Sequence, residues 1–262
     1  MKYSFCSLTD PGRVRANNED TVAVDEAAQL AVLADGMGGY NAGEIASHMA
    51  TSMIQSELGE WLANAAKRPS AGEVKHAIQT CVAHVNRAIF DASRANVRYA
   101  GMGTTLVLAV FFGQRLLLGH VGDSRCYRWR HDTLVQITKD HSLLQEQIDA
   151  GWLTPTQAAN SPIRNLVTRA VGVGNEVALD LREHQVQAND VYLLCSDGLS
   201  DMVDDAQLAD VLRQGGVLTK MAATLVAKAN EMGGRDNIAV VLAQASGSIE
   251  EPRLISRWLG KQ

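Results

Sequence analysis

The order of strand-like and helix-like segments is what most limits the folds open to this chain. Strand-like runs are bunched together and helical patterns arrive in pairs, in the order strands, two helices, strands, two helices, strand. A parallel sheet would need regular alternation of strands and helices, because parallel neighbours are joined by crossovers. The order therefore predicts an α+β fold of antiparallel sheets flanked by paired helices.

Two periodicities set the predicted segments. Apolar residues recur at three- and four-residue steps in 43–65, on a face made of Ile45, Met49, Met53, Ile54, Leu58 and Trp61. A second helical pattern runs through 74–89, and alternating apolar residues predict an antiparallel meander in 103–135. The other predicted strands are 3–8, 21–24, 30–34, 179–186, 191–195 and 238–244, and the other predicted helices are 205–213 and 218–232.

The length and composition favour one domain with a tail. With 262 residues and 46% hydrophobic content the chain can fill one large core or two small ones, and we take one domain in residues 1–245 as the working assumption. Residues 140–174 combine a short helical pattern at 143–151 with prolines, which predicts a mobile surface excursion. The tail 246–262 could form a short amphipathic helix with its apolar side at Leu254, Ile255, Trp258 and Leu259. Such a helix could be docked on its own domain, frayed, or a docking peptide for a partner or a membrane surface.

Charge and cysteine usage exclude several classes of function. The net charge of -5 comes from mixed charges and leaves no basic face for nucleic acid. The N-terminus lacks the apolar core of a secretory signal, and the longest apolar run, 106–113, is too short to span a membrane. The four cysteines form no Cys-x-x-Cys pair, which favours reduced thiols. We expect a cytoplasmic monomer without stable membrane insertion.

Four aspartates lie at the ends of predicted strands, beside glycine or asparagine residues. A single Asp-Gly pair would indicate only a turn. Four carboxylates at strand ends can instead face one another at the open edge of a two-sheet core. Carboxylates without nearby imidazole or thiolate clusters favour hard cations such as Mg²⁺ or Mn²⁺ over zinc. The candidate metal ligands are Asp35, Asp123, Asp197 and Asp236.

A second signal precedes the second predicted strand. Arg15 is followed four and five residues later by Glu19 and Asp20. A guanidinium can bind a phosphoryl group through two parallel hydrogen bonds, and acids beside it can orient water. Alone, the segment would equally fit a solvated loop with a local ion pair.

Other phosphate-binding and metal-binding patterns fail. Gly38 and Gly43 have the spacing of a P-loop, but Glu44-Ile45 replaces the required Lys-Ser/Thr pair. The segment 172–174 lacks the third glycine of a dinucleotide fingerprint, and there is no EF-hand pattern. The histidines are scattered without a His-Glu-x-x-His pair, which indicates surface or packing roles.

Together, these segments resemble the PPM family, also called type 2C protein phosphatases, in its compact bacterial form. The resemblance spans residues 7 to about 242. It implies a four-layer α/β/β/α sandwich, and hydrolysis of phosphoserine and phosphothreonine in proteins by water activated between two divalent ions, opposing a serine/threonine kinase. It rests on the segments 15–20, 35–39, 103–105, 121–125, 138–142, 168–172, 196–199 and 234–237.

The resemblance also implies metal ligands. Asp35 would bridge two Mn²⁺ or Mg²⁺ ions, the Gly36 carbonyl would help to bind one, and Asp197 and Asp236 would bind the other. Asp123 matches the position that, with Asp197, contributes to a third, weaker metal site in bacterial members.

The resemblance assigns the remaining site residues to phosphate and water. Arg15 matches the arginine that grips phosphate, and Glu19 and Asp20 would act through metal-bound waters. Met37 departs from the pattern, because eukaryotic relatives carry there a histidine proposed as general acid. Methionine cannot donate a proton, which leaves metal-bound water or another residue, with His141 a weak candidate. Ala239 is a smaller departure with an expected effect on packing only.

The excursion 140–174 resembles the flap of the family, which would shape access to the site. Two other readings remain open. A phosphatase-like binding module would sense phosphopeptides or a partner without turnover, although intact acids at every predicted metal position favour an enzyme. A two-metal nuclease fits poorly, since the chain lacks basic or aromatic tracts.

Overall fold

The computed structural model of the chain describes residues 1–39, 42–65, 69–154, 157 and 166–247. The strands are β1 (Lys2–Asp10), β2 (Asp20–Asp25), β3 (Leu30–Met37), β4 (Gly103–Thr104), β5 (Leu106–Phe112), β6 (Arg115–Val121), β7 (Arg125–Arg130), β8 (Thr133–Gln136), β9 (Asp180–Gln185), β10 (Val191–Cys195) and β11 (Ile238–Ser246). The helices are α1 (Ala42–Asn64), α2 (Ala71–Ala95), α3 (Leu143–Asp149), α4 (Asp197–Ser200), α5 (Asp205–Gln214) and α6 (Leu218–Glu231).

The described strands form two antiparallel sheets. Sheet I has the strand order β1-β11-β10-β7-β8, and sheet II has the order β2-β3-β5-β6-β9, with β4 beside β3. Each strand pair is antiparallel, as the bunched strand pattern predicts. None of the described helices combines the length and the apolar character that a bilayer crossing requires.

Three apolar layers separate the two sheets and two helix pairs. Side chains such as Phe111 and Tyr192 fill the space between the sheets. Ile54 and Ile78 lie in the layer between sheet II and the pair α1/α2, and Leu225 lies in the layer between sheet I and the pair α5/α6. The predicted four-layer α/β/β/α sandwich is therefore confirmed.

Local sequence explains where the second helix starts. The Ser70 side chain accepts a hydrogen bond from the Glu73 N–H (3.3 Å), and the Glu73 carboxylate accepts one from the Ser70 N–H (2.8 Å). This capping box satisfies amide groups that have no partner inside the helix. The helix then buries the predicted apolar stripe completely, at Val74, Ile78, Cys81, Val85 and Ile89.

The predicted apolar face of the first helix packs against the core, except at Trp61. Ile45, Met49 and Met53 are only half-buried, and Trp61 is 39% exposed. Small residues hold most of the buried positions instead, because they let the helix axis approach sheet II closely. The buried residues of α1 are Ala42, Gly43, Ala46, Ser47, Ala50, Thr51, Ile54, Leu58 and Gly59.

Two strand predictions also need correction. The strand predicted at 30–34 continues to Met37 instead of ending at Asp35, because Asp35 pairs with Asp20 and Gly36 pairs with Thr104. The predicted meander in 103–135 is two hairpins in different sheets, since the chain crosses from sheet II to sheet I between β6 and β7. The predicted tail helix lies beyond residue 247, which is the last residue that the structure describes. Most of 155–165 also lies outside the described residues.

Candidate active site

The fold brings the four predicted strand-end aspartates to one edge of the sandwich. Asp35 lies near the end of β3, and Asp123 lies in the crossing between β6 and β7. Asp197 begins the short helix α4 directly after β10, and Asp236 lies two residues before β11. Because both sheets contribute strand ends at this edge, residues far apart in sequence meet there.

These aspartates share a pocket of about 330 Å³. Every residue predicted to bind metal, phosphate or metal-bound water lines it, except Asp20, so the structure brings these residues together. The lining consists of Arg15, Glu19, Asp35, Gly36, Met37, Gly38, Thr105, Asp123, Val167, Asp197, Asp236 and Asn237.

The loop between β1 and β2 places the arginine at the rim. Arg15 Nη2 donates a hydrogen bond to Asp236 Oδ2 (2.7 Å), and the arginine side chain is 55% exposed. Asn237 anchors this loop, because its Nδ2 donates to the Asn17 carbonyl (2.8 Å) and its Oδ1 accepts from the Glu19 N–H (2.8 Å). The guanidinium therefore stays within reach of solvent and of an anion entering the pocket.

Asp20 lies beneath the pocket and not on its wall. It is opposite Asp35 in the β2–β3 pairing and is buried. Its Oδ2 accepts a hydrogen bond from Ser196 Oγ (2.6 Å), and Ser196 Oγ accepts one from the Ala239 N–H (2.9 Å). Ser196 thus ties Asp20 of sheet II to the β10 and β11 strands of sheet I.

Burial and mutual repulsion dominate the electrostatics of the pocket. Burial, and then neighbouring aspartates, raise the pKa of Asp35 and of Asp197 well above the ordinary carboxyl value. Burial also raises the pKa of Asp123 to about 6 and that of Asp20 to about 7. Crowding ionised carboxylates in a buried site is costly unless cations offset their charge.

The protein itself offers these aspartates little positive charge. Among the ion pairs of the described residues, Arg15 binds Asp236 at the rim, but no lysine or arginine pairs with Asp35, Asp123 or Asp197. Arg125, two residues after Asp123, instead pairs with Asp140, with 2.7 Å between Arg125 Nη2 and Asp140 Oδ2. An uncompensated set of buried oxygen donors fits hard divalent cations.

The described acidic side chains of the pocket do not surround a single point as the ligands of a bound ion would. Within the described ranges, no three acidic, histidine or cysteine side chains converge tightly enough to hold an ion as they stand. Two of the acids are held by hydrogen bonds within the protein, Asp236 by Arg15 and Asp20 by Ser196. The chemistry of the donors therefore fits a divalent cation, and rotation of carboxylates would have to complete its binding.

A hydroxyl pair that the sequence did not single out supports the central aspartate. Thr105 Oγ1 accepts a hydrogen bond from the Asp35 N–H (3.0 Å) and is 2.7 Å from Ser124 Oγ. Both hydroxyls are buried. They join the β3 strand end to the crossing that carries Asp123. Both residues lie within segments that carry the family resemblance, 103–105 and 121–125, but the sequence predicted no role for them.

Two glycines allow close backbone approach behind the pocket. A Cβ at Gly36 would collide with the Gly43 carbonyl, which brings α1 against the end of β3. A Cβ at Gly198 would collide with the Asn237 carbonyl, which brings α4 against the start of β11. Glycine at these positions keeps Asp35 and Asp197 next to the opposite strand ends.

The candidates for a general acid are placed unfavourably. Met37 lines the pocket, and the described lining contains no histidine. His141 does not line the pocket, and its Nδ1 accepts a hydrogen bond from the Gly122 N–H (3.1 Å). Ala239 is fully buried between the sheets, in keeping with a packing role.

Known proteins resemble this chain in sequence. A sequence model of the family described as protein phosphatase 2C matches residues 13–232. A serine/threonine phosphatase, stp, of Listeria innocua is 37% identical over 239 residues, covering 90% of this chain and 93% of the relative.

Solved structures agree with the sequence matches. The Mycobacterium tuberculosis serine/threonine phosphatase PstP/Ppp has a TM-score of 0.86 at 38% identity, over 94% of this chain and 100% of that chain. A catalytic domain of the serine/threonine phosphatase PstP in complex with two manganese ions has a TM-score of 0.82 at 38% identity, over 94% and 99%. The chain belongs to the protein phosphatase 2C family.

Proposed function

We propose that this protein hydrolyses phosphoserine and phosphothreonine in other proteins with the help of two divalent cations, and so opposes a serine/threonine kinase. The observation that carries the proposal is the pocket in which buried aspartates from both sheets meet an exposed arginine. The family relationship supports the same activity, since related proteins are serine/threonine phosphatases.

We assign the cation site to the aspartates that line the pocket, of which only Asp236 is ion-paired with a basic side chain among the described residues. Asp35 and the Gly36 carbonyl would hold one ion, and Asp35, Asp197 and Asp236 would hold the other. Asp123, together with Asp197, is assigned to a third, weaker site. Mn²⁺ and Mg²⁺ both suit such oxygen donors, and the structure of a relative with two manganese ions supports a two-ion site. When bound, the ions would lower the pKa of water and offset charge on the phosphoryl oxygens.

The chain's own residues would bind and orient the phosphoester. Arg15 would exchange its bond to Asp236 for two parallel hydrogen bonds to phosphoryl oxygens, because its guanidinium is exposed at the rim. Glu19 and Asp20 would act through water, Glu19 from the wall and Asp20 from beneath it. Because Met37 has no proton to donate, we assign protonation of the leaving seryl or threonyl oxygen to water.

The proposal is tested by phosphate release from a phosphothreonine peptide with Mn²⁺. We expect release by the parent protein, loss of release with EDTA, and recovery when Mn²⁺ is restored. Asp35→Asn removes the charge of the central carboxylate and should lower kcat by at least about a hundredfold. Asp91→Asn, at an exposed position on α2, is a control of equal charge change that should leave kcat unchanged.

Two outcomes would contradict the proposal. Release that is indifferent to EDTA would exclude the metal mechanism. Equal, negligible release by the parent and by Asp35→Asn would favour a binding module that recognises phosphopeptides without turnover. The cytoplasmic location, the monomeric state and the absence of a nucleic-acid partner stay predictions.

A further inference from the structure

One histidine outside the pocket forms hydrogen bonds to the crossing between β6 and β7, the segment that carries Asp123. The His141 N–H donates to the Gly122 carbonyl (2.7 Å), and His141 Nδ1 accepts a hydrogen bond from the Gly122 N–H (3.1 Å). The residue just before Asp123 is therefore held twice, once by the backbone and once by the side chain of the same histidine.

The same histidine holds a second wall of the pocket. Its carbonyl accepts a hydrogen bond from the Thr168 N–H (2.8 Å), and the next residue, Ser142, forms a β-bridge with Val167. Val167 lines the pocket, and so does Asp123. His141 thus links two pocket walls that are more than forty residues apart in sequence.

A second histidine completes the support of the crossing. The rings of His120 and His141 are stacked, with centroids 4.7 Å apart. His120 Nε2 donates to the Ser124 carbonyl (2.9 Å), because a carbonyl can only accept. The two rings therefore hold the crossing on either side of Asp123, at Gly122 and at Ser124.

Both rings are suited to these bonds in their neutral forms. Burial lowers the pKa of His120 to about 4. Burial, and then the charge of Arg169, lower the pKa of His141. A neutral imidazole keeps an acceptor nitrogen, which His141 needs at Nδ1 to receive the Gly122 N–H.

We propose that His141 is a positioning residue, whose Nδ1 acceptor holds Gly122 and so fixes the neighbouring Asp123, and thereby sets the cation affinity on the Asp123 side of the pocket. The inference rests on the proposed function in that it takes Asp123 to be a cation ligand. It gives a role to the 138–142 motif, which the catalytic scheme leaves unused.

Two substitutions distinguish the role of the Nδ1 acceptor of His141 from the role of its stacked ring. His141→Asn keeps a side-chain acceptor near the Nδ1 position but loses the stacked ring, whereas His141→Phe keeps a ring but loses the acceptor. Mn²⁺ binding to each protein is measured by isothermal titration calorimetry. We expect the weakest binding step to lose about tenfold in affinity in His141→Phe and to stay within about threefold of the parent in His141→Asn.

Controls and a second readout separate positioning from a general loss of structure. His76→Phe, at an exposed position on α2, should bind Mn²⁺ like the parent. Circular dichroism checks folding, and His141→Ala replaces the phenylalanine variant should that variant not fold. In phosphopeptide hydrolysis, the Mn²⁺ concentration for half-maximal rate should rise in His141→Phe, while KM for the peptide at saturating Mn²⁺ stays unchanged.

Equal Mn²⁺ affinity in the parent and both variants would overturn the inference. Equal weakening in both variants would also overturn it, because the ring and not the acceptor would then matter. Phosphate release by the parent tests the proposed function separately. A parent protein without activity, but with the expected difference between the variants, would refute the proposed function and leave the positioning role standing.

Discussion

Hydroxyl groups beside the acids fix the carboxylates of the pocket at the scale of single residues. Ser196 joins Asp20 to the N–H of Ala239, so one side chain connects the two sheets directly beneath the site. Hydrogen bonds to a charged acceptor contribute more than neutral ones, and a buried group that loses its partner is costly. Ser196 is fully buried, where no water can replace its bonds.

We predict that Ser196→Ala destabilises the protein measurably. The substitution removes the donor to Asp20 and the acceptor of the Ala239 N–H, so the free energy of unfolding should fall by about 1–3 kcal/mol. Denaturant unfolding without divalent cations measures it. Ser56→Ala, at an exposed position on α1, is the control and should stay within about 0.5 kcal/mol. Equal stability of both variants would show that the Ser196 bonds contribute nothing net.

The acids of the site were predictable from the sequence, but their supporting residues were not. Asp35 and Asp197 come at the ends of apolar runs in the sequence, which is a local signal. The partner of Ser196 is Asp20, 176 residues away, and no local pattern specifies a bond across that separation. Likewise, nothing near Asp123 in the sequence indicates that His141 would hold its backbone.

At the scale of elements, the close contact of α1 with sheet II depends on small side chains. Ala46 and Ala50 are fully buried where the helix crosses the sheet. The N-terminal end of α1 touches Gly36, so the same close approach shapes the end of β3 and the position of Asp35. Larger residues at the buried positions would push the helix away from the sheet.

We predict that Ala50→Leu overpacks this interface. Ala50 is fully buried, so the added volume must displace packed neighbours and the free energy of unfolding should fall by about 1–3 kcal/mol. Met49→Leu, on the half-buried edge of the same helix, nearly conserves volume and should cost less than about 1.5 kcal/mol. Thermal or denaturant unfolding of the two variants compares them. A smaller effect for Ala50→Leu than for Met49→Leu would contradict the close packing.

Element types were largely predictable, whereas their partners were not. The strand 191–195 agrees with its prediction residue for residue, because periodicity is a local property. In α1 the apolar periodicity predicted that large residues form the buried face, but Trp61 is exposed and alanines occupy several of the buried positions. Alternation along 103–135 also could not indicate a change of sheet, since consecutive hairpins have the same pattern in one sheet or in two.

At the scale of the whole molecule, the pocket concentrates negative charge that the fold does not neutralise. The net charge of -5 adds to this repulsion. A ligand that binds only the folded state stabilises it by mass action. Divalent cations in the pocket would therefore join the two sheets through the aspartates that each contributes.

We predict that Mn²⁺ raises the melting temperature of the metal-free protein. At a free concentration one hundred times Kd the gain is about 2.7 kcal/mol, or roughly 5–10 °C for a chain of this size. Differential scanning calorimetry with and without EDTA measures the shift. Asp35→Asn should lose most of it, and the surface control Asp91→Asn should keep it. An equal shift in Asp35→Asn would mean that Mn²⁺ stabilises the protein from elsewhere.

Anomalous diffraction from crystals grown with Mn²⁺ tests most directly whether the distant aspartates hold a pair of cations. We predict two strong anomalous peaks inside the pocket, next to Asp35, Asp197 and Asp236. A pocket without such peaks, at an Mn²⁺ concentration that supports phosphate release, would contradict the proposed site.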